Sequence, residues 1–278
     1  MILIADSGST KTTWALVETG NKVVTEGLNP HFSSDEQILA AYAVVCDQFK
    51  IQNSEFTIYF YGAGCGDMQQ AERMKALLQE GFNTDNVSVE TDMLGACRAV
   101  SSNGRALVGI LGTGSNACYY DGKDIAYCSP SLGYILGDEG SANHLGRKLV
   151  DNYLKGKMST ELSNMFNKTF PYSYAEWMDH IYHLSNANRF LASLARFAVD
   201  HSDIDECKND ILYVIDQWHR EQLSRLITQS HCSKIHVVGS FGKAIETLLR
   251  QSLTTYGMEV GTVVADPIDG LIQFHRTL

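Results

Sequence analysis

The pattern of apolar and polar positions opens with three short runs that are typical of strands, at 2–5, 12–17 and 22–26. Only short turns separate them, so they predict consecutive antiparallel strands. Two further strand-like runs follow at 56–61 and 87–90. Apolar residues at helical spacing lie between them, one set after a Ser34/Gln37 capping-box pattern and another after Asp67. This part of the chain therefore predicts a mixed sheet covered by helices.

A second unit begins near Ala106, where ALVGILGTGSNACYYDG repeats the strand, small-residue turn and strand of the opening MILIADSGSTKTTWALV. Further strands are expected at 125–128, 235–238 and 259–264. The region 138–232 reads as mainly helical, with a break at Pro171, and Pro267 is placed to start a terminal helix. We expect two domains, 1–105 and 106–278, with a helical insertion in the second and a terminal helix that packs back on the first.

Composition narrows the functional classes. With 278 residues, 44% of them hydrophobic, the chain can bury a substantial core, and a net charge of -10 without a basic run argues against a nucleic-acid surface. Apolar runs are too short for a transmembrane helix, and the N-terminus lacks a basic signal region, so a cytoplasmic protein without a membrane partner is expected. The seven scattered cysteines disfavour a disulfide framework and a structural zinc site.

Asp6 ends the first strand and precedes a turn of small and polar residues. A Walker phosphate loop is excluded because Lys11 follows Thr10 instead of the glycine which that motif requires. The turn therefore belongs to a hairpin. Similar turns occur in GTGSN and in VVGSFGKA, and the backbone N–H groups of three such turns can converge on a polyphosphate. Each turn alone is typical of an ordinary tight turn.

Five segments, ADSGSTKTTWAL, TDMLGACRA, GTGSN, GYILGDEGSA and VVGSFGKA, together resemble the N-acetylglucosamine kinases. These belong to the BadF/BadG-type ATPases within the actin, hexokinase and Hsp70 superfamily. The resemblance extends from the first strand to the terminal helix and is weakest at 153–232. It implies an α/β fold of two actin-like (ribonuclease H-like) domains. Each would have a five-stranded mixed sheet with flanking helices, and the pair would close over ATP and a sugar.

The resemblance also implies roles for individual residues. Asp92 corresponds to the general base, and Asp6 corresponds to the acidic residue that orients hydrated Mg²⁺. The residues expected at ATP are Gly8, Ser9, Thr10 and Lys11 in the first hairpin, Gly112, Thr113 and Gly114 in the second, and Gly239 and Ser240 in the adenosine loop. Those expected at the sugar are Asn29, Ser115, Asn116, Gly133 and Asp138.

Structural alternatives stay open for four of these positions. Asp6 is also suited to an Asx turn, Asp92 to a helix N-cap, and the acidic GDEGSAN segment to the positive end of a helix dipole. Asn29 precedes Pro30 and is typical of a surface turn. Ser131 and Leu132 depart from the family pattern, as does YGAGCG at 61–66, so the acyl pocket is not defined.

The sequence therefore favours an ATP-dependent kinase of N-acetylglucosamine or a closely related amino sugar. One alternative is an activator-type ATPase related to those of 2-hydroxyacyl-CoA dehydratases, although Cys97, Cys118 and Cys128 do not fall in the cysteine motif of that group. Another is a sugar sensor without catalysis. The hydroxyl that is phosphorylated and the oligomeric state are not fixed, and a homodimer is one candidate.

Overall fold

The computed structural model of the protein describes residues 1–51, 56–101, 104–184 and 186–277. It divides into two compact units. Unit 1 comprises Met1–Val108, Tyr120–Ile125 and Asp266–Leu278, and unit 2 comprises Gly109–Tyr119 and Ala126–Ala265. The boundary expected at 105/106 stays a prediction.

Helices and strands follow one another along the chain much as the sequence pattern predicts. The strands are β1 (Ile2–Ser7), β2 (Lys11–Leu16), β3 (Lys22–Glu26), β4 (Thr57–Gly62), β5 (Val87–Thr91), β6 (Ala106–Leu111), β7 (Ser115–Tyr120), β8 (Ile125–Cys128), β9 (Lys234–Val238) and β10 (Glu259–Val264). The helices are α1 (Asp35–Phe49), α2 (Met68–Phe82), α3 (Asp92–Ser101), α4 (Gly133–Leu136), α5 (Ala142–Leu154), α6 (Thr160–Thr169), α7 (Tyr174–Tyr182), α8 (Ala187–Asp200), α9 (Asp205–Trp218), α10 (Ser224–Ser230), α11 (Ser240–Ala244), α12 (Glu246–Thr255) and α13 (Ile268–Arg276). A π-helical turn, His219–Leu223, joins α9 to α10.

Unit 1 is built on a five-stranded sheet in the order β3-β2-β1-β4-β5. Strands β1, β2 and β3 pair antiparallel, whereas β1 pairs parallel with β4, and β4 with β5. The mixed sheet and the capping box at Ser34 are therefore confirmed, and Asp67 caps α2 as expected. Because these strands run parallel, the carboxyl-terminal ends of β1, β4 and β5 lie side by side at one end of the sheet; this end is the sheet edge referred to below.

Alternate residues of β1 serve the two faces of this sheet, as the period of two in a strand requires. Leu3 and Ala5 pack with Trp14 in the core that includes buried residues of α1 and α2. Ile4 faces the opposite side and packs with Ile268 and other apolar residues of α13. The last helix of the chain therefore completes the core of unit 1.

A polar contact also joins α13 to this sheet. The Tyr61 hydroxyl accepts a hydrogen bond from Arg98 Nη1 at 2.9 Å and lies 2.8 Å from His275 Nε2. Burial, and secondarily the Arg98 charge, lowers the pKa of His275 to about 4, so the ring is neutral at pH 7.

Gly270 lets α13 approach α3 closely, because a Cβ there would overlap the Ala99 carbonyl.

Unit 2 repeats the architecture. Its sheet has the order β10-β9-β6-β7-β8, which is the order of the first sheet read from the other edge, with β6 in the place of β1. This equivalence is what a duplicated strand-turn-strand unit predicts. The helical insertion is confirmed, and Pro171 lies in the break between α6 and α7. An aromatic cluster around Phe166, Trp177 and Phe197 forms the core of the insertion.

None of the helices in the described ranges has the length and apolar character needed to cross a bilayer.

Candidate functional site

The turn between β1 and β2 is a tight hairpin, as the sequence predicts. Gly8 N–H donates to the Lys11 carbonyl at 3.0 Å, and the Ser7 and Thr12 hydroxyls are 2.8 Å apart at the base of the turn. The chain leaving β3 passes directly against this turn, because a Cβ on Gly27 would lie 2.5 Å from the Gly8 carbonyl oxygen. Gly27 was not among the predicted site residues, yet its lack of a side chain lets the turn pack there.

Asp6 lies near the end of β1, opposite Thr13 of β2 and Tyr61 of β4. Burial raises the pKa of its carboxyl well above the usual value, and the negative charges of Asp266 and Asp92 raise it further. The Lys11 ammonium opposes these effects without cancelling them. Asp6 therefore lies in a region of uncompensated negative charge, which a cation would stabilise.

Asp266 is a member of this cluster that sequence reasoning missed, because its position before Pro267 was interpreted only as the start of a helix. Its Oδ2 accepts hydrogen bonds from Lys11 Nζ at 2.5 Å and from the Thr13 hydroxyl at 3.0 Å. Oδ1 accepts Ile268 N–H at 3.0 Å. Burial opposes ionisation, but these hydrogen bonds and the Lys11 charge outweigh it and lower the pKa of Asp266. The carboxylate is therefore an anion that holds Lys11.

Asp92 is the first residue of α3, directly after β5. The preceding residue performs the capping, since Thr91 Oγ1 accepts Leu94 N–H at 3.1 Å. Asp92 Oδ1 accepts the adjacent Met93 N–H at 2.9 Å. Burial raises the pKa of Asp92 to about 6, and the hydrogen bonds from Met93 N–H and its own N–H only partly oppose this. The Asp92 side chain is half-buried. Because Thr91 caps α3, the Asp92 carboxylate is not needed as the N-cap.

Strand register places Asp6 and Asp92 at the same edge of the sheet. Ser7 of β1 pairs with Gly62 of β4, and Gly62 pairs with Thr91 of β5. Neighbouring strands are about 4.8 Å apart and Asp92 lies two residues beyond Glu90, which is level with Asp6, so the two aspartate backbones are separated by roughly 12 Å. Both carboxylates therefore belong to the same end of the parallel strands.

Asn29 forms the turn that its sequence context also allowed. Its Oδ1 accepts His31 N–H at 3.0 Å, and its carbonyl accepts Phe32 N–H at 3.0 Å. The side chain is buried against Gly64, where a Cβ would lie 2.5 Å from Oδ1. The structure therefore shows an Asx turn at Asn29, and its role at the sugar stays a prediction.

In unit 2, the turn at Gly112 is held through its carbonyl groups. Gly112 N–H donates to Gly114 O at 2.9 Å, and Ala142 N–H donates to Gly112 O at 3.0 Å. Thr113 O accepts both the backbone N–H of Asn143 at 3.1 Å and its side-chain Nδ2–H at 2.7 Å. The GTGSN and GDEGSAN segments, about 25 residues apart in sequence, thus form one assembly.

The Asp138 carboxylate joins the GTGSN and GDEGSAN segments through hydrogen bonds. Its Oδ1 accepts Ser115 N–H at 3.2 Å and its Oδ2 accepts Asn143 Nδ2–H at 2.9 Å. The carboxylate lies against Gly114, where a Cβ would be 2.9 Å from Oδ2. Burial raises the pKa of Asp138, and the bonds from Asn143 and Ser115 only partly oppose it. Two of its acceptor sites therefore serve the protein itself, and binding of sugar hydroxyls stays a prediction.

Asn116 and Gly133 are two other residues predicted at the sugar, and their surroundings differ. Asn116 Oδ1 accepts the adjacent Ala117 N–H at 2.8 Å. Gly133 begins the short, exposed helix α4 with φ +70°, and no atom lies within 4 Å of the position of a Cβ. Backbone conformation, and not crowding, therefore favours glycine at this position.

The Gly239–Ser240 turn lies beside the Gly112 turn, and a shared role of the two loops at a nucleotide stays a prediction. Gly239 N–H donates to Val264 O at 2.8 Å, and its φ of +126° favours glycine. A Cβ on Gly239 would overlap the Leu111 carbonyl, so the two turns are in direct contact. Ser240 then begins α11.

The chain matches no known family model and no curated protein sequence. Among solved structures it is similar to a proposed N-acetylglucosamine kinase from Porphyromonas gingivalis. The two are 33% identical with a TM-score of 0.93, and the match covers 100% of this chain and 99% of the other. The chain belongs to the N-acetylglucosamine kinase family. The predicted family and the actin-like α/β fold are therefore confirmed.

More distant structures share the fold of this N-acetylglucosamine kinase family member. A proposed N-acetylglucosamine kinase from Chromobacterium violaceum has a TM-score of 0.76 at 17% identity, covering 98% of each chain. A ROK-family glucokinase from Streptomyces griseus, solved in complex with glucose and AMPPNP, has a TM-score of 0.58 at 14% identity. That match covers 99% of this chain and 98% of the glucokinase.

Thr91→Ala should destabilise the start of α3 because it removes the hydroxyl that accepts Leu94 N–H. We expect a loss of about 1 kcal/mol, the usual cost of removing an N-cap, seen as a lower midpoint of thermal unfolding. Thr91→Ser keeps the acceptor and should retain most of the stability. Equal midpoints for the two variants would show that Thr91 is not the cap.

Proposed function

We propose that the chain is an ATP-dependent kinase that transfers the γ-phosphate to a hydroxyl group of N-acetylglucosamine or a closely related amino sugar. The observation that carries the proposal is Asp92, a half-buried carboxylate with a pKa of about 6, two strands from Asp6 at the same sheet edge. Family membership supports the substrate class. The glucose and AMPPNP bound by the Streptomyces griseus glucokinase support a reaction of this type on this fold.

In this proposal Asp92 accepts the proton of the attacking sugar hydroxyl as its oxygen forms a bond to the γ-phosphorus. The bond between that phosphorus and the β–γ bridging oxygen breaks, and ADP leaves. A base with a pKa close to the working pH is ionised and still basic enough to accept a proton. Phosphoryl transfer depends mainly on alignment and charge stabilisation, so the fixed position of Asp92 at the start of α3 matters as much as its pKa.

The nucleotide would contact the small-residue turns. In unit 1 these are Gly8, Ser9, Thr10 and the ammonium of Lys11, and in unit 2 Gly112, Thr113, Gly114, Gly239 and Ser240. Turn N–H groups are suited to phosphate oxygens. Those of Gly8, Gly112 and Gly239 already donate within the protein, so these glycines would contribute by letting the backbone approach the nucleotide closely. The direct contact of the Gly239 turn with the Gly112 turn supports a shared role for them. Asn29, Ser115, Asn116, Gly133 and Asp138 remain the proposed contacts of the sugar.

The Asp6 carboxylate of unit 1 fits a magnesium ion. Mg²⁺ usually takes one or two protein carboxylates and completes its shell with water and substrate phosphates. Within the described ranges no three His, Cys, Asp or Glu side chains form a ready-made metal centre. Asp6 still fits, because burial and then the nearby charges of Asp266 and Asp92 disfavour its ionised form in the absence of a cation. When bound, Mg²⁺ would neutralise phosphate charge.

Asp92→Asn should lower kcat by about 10² or more while leaving sugar affinity close to the original value, because the amide keeps the shape and removes the base. The measurement is coupled ADP release with N-acetylglucosamine, together with calorimetric titration of the sugar.

Asp85→Asn is the matched control for this variant, since Asp85 is exposed in the turn before the opposite end of β5. It should retain wild-type kcat. Undiminished turnover of Asp92→Asn would overturn the assignment of the base. Sugar binding by the wild-type chain without ADP release would instead favour the sugar-sensor alternative.

The pH profile of kcat/KM should show an acid limb with a midpoint near pH 6. Burial raises the pKa of Asp92 to about 6, so the base is protonated below that value and activity falls about tenfold per pH unit. Profiles at two Mg²⁺ concentrations test the assignment, because a limb due to Asp6 would shift with the metal. A midpoint near pH 4 would exclude a raised pKa for the base.

Asp266→Asn should lower the KM for ATP by about threefold to tenfold. The substitution releases Lys11 from its ion pair and removes a negative charge beside the proposed phosphate site. Asp269→Asn is the matched control, because Asp269 forms an exposed ion pair with Lys22 at 2.6 Å and should change the KM little. A higher KM in Asp266→Asn would show instead that Asp266 orients Lys11 for the phosphates.

A further inference from the structure

The π-helical turn His219–Leu223 is an irregular feature in an otherwise α-helical region. Its i→i+5 geometry is seen in the hydrogen bond from Ser224 N–H to the His219 carbonyl. Such a turn inserts one extra residue into a helix and redirects the side chains around it, and it is frequent at functional sites. In this chain it lies between α9 and α10 and places Gln222 in the interior of unit 2, with 5% of its surface exposed.

Gln222 connects the two segments that form the candidate site of unit 2. Its Nε2 donates to the Ser115 hydroxyl at 3.0 Å and to Glu139 Oε2 at 3.1 Å. Ser115 Oγ in turn donates to the Glu139 carbonyl at 2.6 Å. The amide group of Gln222 thus lies between the first residue of β7 and the acidic GDEGSAN segment.

The side-chain oxygen and the backbone carbonyl of Gln222 also have hydrogen-bond partners. Its Oε1 accepts Trp218 Nε1–H at 3.2 Å, and its backbone carbonyl accepts the Ser129 hydroxyl at 2.9 Å. Trp218 lies against Gly140, where a Cβ would be 2.5 Å from the tryptophan Cβ. Because oxygen and nitrogen of the amide both have specific partners, the side chain has one favourable orientation.

We propose that Gln222 is a positioning residue that fixes Ser115 relative to Glu139 and thereby holds the sugar-binding side of the Gly112–Asn116 turn in place. This inference rests on the proposed function for its substrate. Its physical part, the fixing of two segments by one buried amide, is independent of that function.

Gln222→Met tests the proposal, since methionine has the same length and no hydrogen-bonding amide. We expect the KM for N-acetylglucosamine to rise about tenfold and the KM for ATP to change less than twofold, because small misplacement of a binding group costs affinity for the ligand that it contacts. Gln217→Met is the matched control, one turn earlier in α9, where the amide donates only a long 3.4 Å hydrogen bond to Asp216 in the described contacts.

Hydrogen exchange provides a readout that does not require activity. In Gln222→Met, amides in 112–119 and 137–143 should exchange faster than in wild type and in Gln217→Met. Unchanged exchange would overturn the proposal. Faster exchange with an unchanged sugar KM in an active enzyme would overturn the link to the substrate. An inactive wild-type chain would refute the proposed function, while the exchange result would still decide the role of Gln222.

A reversed pair provides a rescue. Gln222→Glu alone places a second carboxylate beside Glu139 and should raise the sugar KM more than the methionine variant. Combining it with Glu139→Gln restores the hydrogen bond between residues 222 and 139 in the reverse direction but not the donor to the Ser115 hydroxyl, so it should recover part of the exchange protection and sugar KM. A double variant no better than Gln222→Glu would show that the contact between residues 222 and 139 does not carry the effect.

Discussion

Three carboxylates share one end of the parallel part of a sheet, and this crowding of negative charge is the constraint on which the candidate site depends. The strand register fixes Asp6 and Asp92 at that edge, and the chain returns Asp266 to the same region. Lys11 compensates part of the charge through Asp266. Burial and mutual repulsion raise the pKa of Asp6, so a bound cation would relieve an unfavourable arrangement that the fold itself imposes.

The two units share one strand order, but different chemical groups surround the first hairpin turn in each. At the hairpin of unit 1 the surrounding side chains are ionised or ionisable, with Asp6, Lys11 and Asp266 in one group. At the corresponding turn of unit 2 the loop is fixed by backbone carbonyls and by the Asp138 carboxylate. The two units thus share a backbone arrangement, while the side chains at their turns differ.

Sequence patterns predicted the elements because strands and helices bury one face each, and their periods are visible in the spacing of apolar residues. The hairpin at Asp6 and the mixed sheet of unit 1 followed from that signal. Side-chain contacts across long separations have no such period. Thus Thr91, which replaces Asp92 as the cap, and Asp266, which lies 255 residues from Lys11, were missed. The π-helical turn was missed because it differs from an α-helix by one residue per turn, which periodicity cannot resolve over five residues.

The position of α13 has a consequence for how the protein is made. Its apolar residues cover Ile4 and Tyr61 in a unit whose other elements all precede residue 126. During translation, the part of this sheet face that α13 covers therefore stays exposed until α13 has been synthesised, whereas α3 can pack on the same face earlier. This part of the unit 1 core can therefore form only after the residues of unit 2, up to Ala265, have been synthesised.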